Sequence, residues 1–446
     1  MSAPLTTAAS AAAFSAPGDD LWIVLPHLGP GGAQKVAVLA AGHFAACGLR
    51  VRLITLLPDQ PAVLEPPPGV EHIDLGPLVA SDRQRLGPEV DVSDRSPLAI
   101  AGRVAALWIG RIRRRLSPLG LRLLLGLQLP LWPPATGWRG GLQRLLLRLT
   151  RNVAGPQGAR LRQLVQRQRP QRLLALLSRT NMLSALAVWD LPIHLVVSER
   201  NDPRLQHLPF PWNRLRPLLY GRADVVTANT SGVLAVLRQF PQPFRRLDLL
   251  ANPLPQSHRP GERLPLAERA REFLTVCRLV PQKGVDVLLE AFAQLPLPIR
   301  QTWRLRIVGD GPERASLERQ AGQLGIAAQV SFEGFCSDPP RFFRQAPIFV
   351  LPSRFEGMPN ALLEAMGFGL ASVVTDASPG PLELVEPGVT GLVVRTGDAA
   401  ALAAALQQLV EDPDLQRRCG AAAAALLRRH DWPVLEPVWR DLLNLA

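Results

Sequence analysis

The sequence predicts an α/β protein built from two doubly wound, Rossmann-like domains that face each other across a central cleft. Three observations carry this. The chain has 446 residues, 47% of them hydrophobic, enough for two cores of ordinary size. In both halves, short apolar runs of strand length alternate with helical stretches, the pattern of a parallel sheet covered on both faces. Between the halves a Pro-rich polar segment, Asn252 to Pro265, breaks the alternation.

Residues 1–19 are rich in Ala, Ser, Thr and Pro. They lack the basic start and continuous apolar core of a secretory signal, and read as a mobile tail. The first domain is expected over 20–252. Leu21–Leu28 reads as a buried strand, Gly29-Pro30-Gly31-Gly32 as a turn, and Ala33–Ala46 as a helix that Gly48 stops. Val51–Leu57 is the next strand, completing a β-loop-α-β unit. Further strands are expected at Arg172–Leu177, Ile193–Ser198 and Ala223–Ala228. Residues 253–265 form the expected linker, and 266–430 the second domain. Its strands are expected at Glu272–Cys277, Leu305–Val308, Val330–Phe332, Ile348–Leu351 and Ser372–Thr375. Helices are expected between them at Val285–Gln294, Glu313–Leu324 and Asn360–Met366, and from Ala399 onward.

The net charge is +13, but it is local. From Leu98 to Arg151 there are ten arginines and no acid, and removing them leaves +3. Leucines and tryptophans fill the gaps, which suits an amphipathic segment lying on anionic lipid. The competing reading is a Leu-rich insertion packed on the domain, or a solvated helical face. Nucleic acid is disfavoured, because Arg is mixed with Leu and a single Tyr occurs in the whole chain. No uncharged apolar run of spanning length exists, so a transmembrane helix is not expected. The four cysteines, at 47, 277, 336 and 419, show no CxxC spacing and read as reduced thiols rather than metal ligands.

The candidate chemistry lies in the second half. Arg278 and Lys283 follow an apolar strand and precede a helix, the place where open α/β sheets bind ligands. Two cations there suit a diphosphate and stabilise its departure. Gly309-Asp310-Gly311-Pro312 is a strand-to-helix turn whose glycines allow close backbone approach. Glu356 sits in the loop after Leu351, and Glu364 lies inside the following helix among apolar neighbours. A carboxylate there needs hydrogen-bond donors, such as ribose hydroxyls. Each element alone has a bland alternative: solvated loop cations, a tight turn, a helix with an acid at either end.

Taken together, Arg278, Lys283-Gly284, Val308-Gly309-Asp310-Gly311-Pro312 and the Glu356–Glu364 pair resemble, in order, the motifs of the family-4 retaining glycosyltransferases of GT-B fold. Ser378-Pro379-Gly380-Pro381-Leu382-Glu383 resembles the family's donor-closing loop, and Leu392–Val394 the strand after it. Gly31-Gly32-Ala33-Gln34-Lys35-Val36 resembles its Gly-Gly loop, and Asn252-Pro253 its approach to the linker. Ser198-Glu199-Arg200-Asn201-Asp202-Pro203 resembles a motif of some bacterial members.

The resemblance implies transfer of a hexose or N-acetylhexosamine, with retention, from a nucleoside-diphosphate sugar, a UDP-sugar favoured over a GDP-sugar. Catalytic roles would fall to Glu356, Arg278 and Lys283. Glu364, Gly309, Gly311, Gly357, Met358, Asn360, Gly31 and Gly32 would contact the donor, with Glu364 on the ribose. Glu199 and Arg200 would lie on the acceptor side. No metal and no cofactor are implied. The last helix, within 431–446, would cross back to the first domain. The acceptor would be a polysaccharide or lipid-linked glycan, as in lipopolysaccharide biosynthesis, on the inner face of the cytoplasmic membrane. Two departures stand out: Pro359 replaces a Gly common among relatives, and no His stands in the Ser198–Pro203 stretch, so no general base is assigned. The alternatives are a catalytically inactive binding protein and a sugar-nucleotide hydrolase or epimerase of the same fold.

Overall fold

The computed structural model describes residues 20–57, 63–76, 118–126, 136–254, 264–265, 268–336 and 339–445. The expected tail, much of the linker, and residues 98–117 and 127–135 of the basic segment lie outside the described residues.

The first domain holds β1 (Asp20–Leu25), β2 (Arg50–Thr55), β3 (Val70–Asp74), β4 (Arg172–Leu176), β5 (His194–Glu199), β6 (Val225–Ala228) and β7 (Leu247–Leu249). They form one seven-stranded sheet in the order β3-β2-β1-β4-β5-β6-β7, every pair parallel. Central strands β4 to β6 are buried on both faces, which is why they read as unbroken apolar runs. The edge strands β3 and β7 are half exposed, carry Glu71, Asp74 and Asp248, and gave no such run. Helix α1 (Gly32–Ala46) follows β1 and buries Val36, Ala37, Ala40 and Phe44 against the sheet.

Within the basic segment, a helix over 118–126 packs on α2 (Gly137–Val153). Leu121 and Leu146 enter the domain core, so part of this segment is packed structure. The opposite faces leave Leu123 77% and Trp138 70% exposed. A short helix, α3 (Ser231–Leu237), begins after β6; Thr230 caps it by accepting from Val233 N at 3.1 Å.

The second domain holds β8 (Glu272–Val276), β9 (Arg304–Val308), β10 (Val330–Gly334), β11 (Ile348–Leu351), β12 (Ala371–Thr375) and β13 (Gly391–Val394). Their order is β10-β9-β8-β11-β12-β13, again all parallel. Helices α4 (Val285–Gln294) and α5 (Asn360–Gly367) follow β8 and β11. In both sheets the direction of chain progression reverses beside the first strand: between β1 and β4, and between β8 and β11. Such reversals open a crevice at the carboxyl ends of the strands.

The chain crosses between domains twice, and the crossings are tied together. His430 Nδ1 meets the Asn252 carbonyl at 2.8 Å, and Leu254 N donates to the His430 carbonyl at 3.0 Å. A carbonyl only accepts, so Nδ1 carries the proton. Helix α6 (Trp432–Leu443) then lies on the first domain, with Trp432, Leu435 and Trp439 packed around Phe44 and Leu21.

Candidate functional site

The loops after β8 and β11 form the centre of the site. Beyond β8, Arg278 is exposed and Lys283 ends a short 3₁₀ turn. Arg354 N donates to Gln282 O at 2.7 Å and Gln282 Nε2 to Phe355 O at 2.9 Å, so the two loops are stapled backbone to backbone. This staple brings Lys283 Nζ to 2.5 Å from Glu356 Oε1. Ser353 Oγ donates to the same carboxylate oxygen at 2.7 Å, while Ser378 Oγ accepts from Glu356 N at 3.0 Å. Glu356 is 8% exposed, and its buried charge is met by an ammonium and a hydroxyl. Cys277, beneath the loop, has its pKa raised to about 11, chiefly by burial, and stays a thiol.

The β9 turn abuts the β8 loop. Gly309 has φ +136, and a Cβ there would fall 1.8 Å from Cys277 O. A Cβ on Gly311 would fall 2.3 Å from Leu279 O. Only glycine permits this approach. Gly357 does the same across the cleft: its Cβ would stand 2.1 Å from Arg200 O of the first domain.

Opposite this face stands the β1–α1 loop. Gly32 O accepts from Asn360 Nδ2 at 2.8 Å, and Gly31 is the residue before the first turn of α1. Asn360 also accepts from Asn252 Nδ2 at 2.5 Å. Lys35 Nζ lies 2.6 Å from Glu364 Oε1, and Glu364 is 5% exposed. His27, just past β1, accepts from Gly29 N at 3.0 Å. Its pKa is lowered, first by burial and then by the Arg278 charge. Glu364 meets the stretch His27 to Lys35 at Lys35, and the Arg278 charge acts on it at His27. At a third point Glu383 Oε1 accepts from Ser231 Oγ at 2.7 Å and Gly232 N at 3.2 Å on α3. Met358 is partly buried and packs on the second-domain core.

The expected acceptor-side pair divides. Glu199 is fully buried; Tyr220 and Ser178 donate to it, and Arg216 lies 3.9 Å away. Burial outweighs these partners and raises its pKa. No Glu199 atom is open to a sugar here, because the residue that ends β5 points into a packed polar cluster. Arg200 Nη1 donates to Asn252 Oδ1 at 2.6 Å, but its buried Nε and Nη2 have no partner. Burial lowers the Arg200 pKa to about 9.

The sequence pointed to Lys35, and to Ser378 at the start of the donor-closing loop, without giving either a role, and did not single out His27 or Ser353 as site residues. His27 had a readable signal, a lone His between a strand and a Gly-rich turn. The contacts of the two serines had none, since their partner is a backbone and carboxylate pair assembled in three dimensions.

The crevice lined by Lys35, Pro253, Asn360 and Glu364 has a cavity volume of about 10 Å³. Ligand pockets commonly span roughly 300–1,000 Å³. The described arrangement is a closed one.

Comparison with known proteins bears on this geometry. Residues 261–426 match the family Glycosyl transferases group 1. An uncharacterized glycosyltransferase of Haemophilus influenzae is 28% identical over 286 residues, 64% of this chain and 79% of that protein. A lipopolysaccharide core biosynthesis glycosyltransferase, LpsE of Rhizobium meliloti, is 36% identical over 145 residues, 32% of this chain and 41% of that protein. An exopolysaccharide phosphotransferase of Streptomyces coelicolor is 34% identical over 200 residues, 45% of this chain and 21% of its own length. The chain thus spans less than half of several curated relatives it matches. The crystal structure of Anabaena HepE in complex with UDP-glucose superposes with a TM-score of 0.69 at 18% identity, covering 96% of this chain and 100% of that one. The two parallel sheets give this chain the two-domain α/β fold of that structure, and residues 261–426 are similar to the glycosyl transferases group 1 family.

Proposed function

We propose that the chain is a family-4 retaining glycosyltransferase that moves a hexose or N-acetylhexosamine from a nucleoside-diphosphate sugar, without a metal, to a membrane-associated glycan or lipid acceptor. The observation that carries this is the 2.5 Å Lys283–Glu356 pair at the β8/β11 crevice. The diphosphate would sit on Arg278 and Lys283, which neutralise charge as the nucleoside diphosphate departs. Glu356 would then be freed toward the donor sugar, where a carboxylate stabilises positive charge at the anomeric carbon. Gly309 and Gly311 leave the backbone open to the nucleotide, and Glu364 would accept from ribose hydroxyls.

On the acceptor side, the two unpartnered Arg200 donors, buried in the closed arrangement, would reach an incoming hydroxyl or phosphate once the domains part. Opening at Lys35–Glu364 and Gly32–Asn360 would admit the donor between the domains. A UDP-sugar is the favoured donor. Membrane contact at the cytoplasmic face is supported by exposed Leu119, Leu123, Trp138 and Leu145 interleaved with exposed Arg122, Arg139, Arg144 and Arg148. Among the described residues no helix is long and apolar enough to cross a membrane.

The test is a panel of radiolabelled nucleotide sugars with lipid-linked acceptors. Transfer that disappears in Glu356→Ala supports the reading. Absence of transfer from any donor, or free sugar released equally with and without acceptor, overturns it.

A further inference from the structure

On the face away from the cleft, α1 and α6 bring together three side chains that the transfer chemistry does not use. His43 and Cys47 stand four residues apart on the last turn of α1 and its cap, so they share one helix face. Glu436 comes from the first turns of α6, 393 positions later than His43. His43 Nε2 lies 2.9 Å from Glu436 Oε2, Cys47 Sγ 3.8 Å from His43 Nε2, and Cys47 Sγ 3.9 Å from Glu436 Oε1. One ligand atom from each of the three residues lies within 4.8 Å of the other two.

We propose that His43, Cys47 and Glu436 form a binding site for a divalent zinc ion that clamps the returning C-terminal helix to the first domain. Ligands at about 2.0–2.3 Å in tetrahedral array stand roughly 3.3–3.6 Å apart. His43 Nε2 and Cys47 Sγ stand 3.8 Å apart, a few tenths of an ångström beyond that spacing, and each faces its own oxygen of Glu436, at 2.9 and 3.9 Å. Imidazole, thiolate and carboxylate are the donors zinc takes, and an exposed Cys47 leaves room for water as a fourth ligand.

The surroundings hold the donors in place, as supporting partners of a metal site do. The His43 ring stacks on Trp432 with centroids 3.9 Å apart and planes 2° from parallel. Arg440 Nε donates to Glu436 Oε1 at 2.7 Å, fixing the carboxylate. On binding, the Cys47 thiol gives its proton to solvent as the sulfur–zinc bond forms. Thiolate and carboxylate then balance the ion's two positive charges, so the neighbouring Arg440 is tolerated. The alternative is that the three groups are held only by an ion pair of Glu436 with His43 and Arg440.

Cobalt(II) distinguishes these. Untagged full-length protein, stripped with chelator and titrated with cobalt(II), is expected to develop the sulfur-to-cobalt charge-transfer absorption of a tetrahedral thiolate site, saturating at one ion per chain. Zinc(II) should displace it and raise Tm. Cys47→Ser should abolish both responses while Cys336→Ser retains them, and Glu436→Gln should weaken binding at least tenfold. Circular dichroism checks that each variant is folded. Absence of the charge-transfer band in the wild type, or its persistence in Cys47→Ser, overturns the proposal, the first outcome meaning an ion pair only. Sugar transfer plays no part in the readout, so failure here leaves the proposed activity untouched.

Discussion

Lys35 Nζ of the first domain lies 2.6 Å from Glu364 Oε1 of the second, and this ion pair closes the cleft over the crevice where a nucleotide ribose would sit. Glu364 is 5% exposed, so its charge depends on a partner. If Glu364 binds the donor as proposed, the pair would tie donor recognition to domain closure. Replacing Glu364 with Gln should weaken nucleoside-diphosphate binding about tenfold, since hydrogen bonds to a charged group contribute roughly 1.5–3 kcal/mol. Lys35→Met should lower kcat without raising the nucleotide dissociation constant. Calorimetric titration alongside initial-rate kinetics separates the two; a Lys35→Met enzyme with unchanged kcat would contradict the role.

In the proposed reaction the Lys283–Glu356 pair would sit where charge develops. Glu356→Ala should cut kcat by about a hundredfold to a thousandfold, the range seen when one electrostatic stabiliser is removed. Lys283→Ala should do the same and also cost about 1–3 kcal/mol of stability, because Glu356 then keeps only the Ser353 hydroxyl at its buried carboxylate. Urea denaturation of both variants, read beside their rates, checks the asymmetry.

Stability should fall in mild acid. His430 is 3% exposed and burial lowers its pKa from 6.5 to about 4. Between these values the unfolded chain takes up a proton that the folded chain refuses, so unfolding free energy rises with pH across this window and is lost as pH falls. The contribution is at most about 3 kcal/mol. His27 and His72 are shifted the same way by burial. Denaturant titrations at pH 7 and pH 4.5 should show the loss, and His430→Gln should shrink it.

The exposed face of the 118–126 helix and α2 should hold the chain on anionic vesicles. Leu123→Ser with Trp138→Ser should reduce flotation several-fold at low and high salt alike, whereas wild-type binding should weaken only partly with salt. Full binding by the double variant would refute this docking face.

The sequence revealed the fold wherever burial is two-sided. β4, β5, β6, β8 and β11 are apolar because they lie between helix layers, and each was readable. β3 and β7 were missed because half-exposed edges carry charge. β1 ends at Leu25, three residues before the apolar run does, because Leu28 is buried in loop rather than in sheet. In the site, Arg278, Lys283, Glu356 and Glu364 stood out as charges at strand ends or in apolar helix. Partners brought from far away did not. Lys35 meets a residue 329 positions later, and nothing in spacing announces that. Glu199 looked like an accessible loop acid, yet Tyr220 and Ser178 bury it.

The most direct test of the central claim is a calorimetric titration of the purified full-length chain with UDP, GDP and ADP. Binding of one nucleoside diphosphate, lost in Arg278→Ala and Lys283→Ala and weakened in Glu364→Gln, is the predicted result. No binding of any of the three, or binding indifferent to these substitutions, would contradict the account.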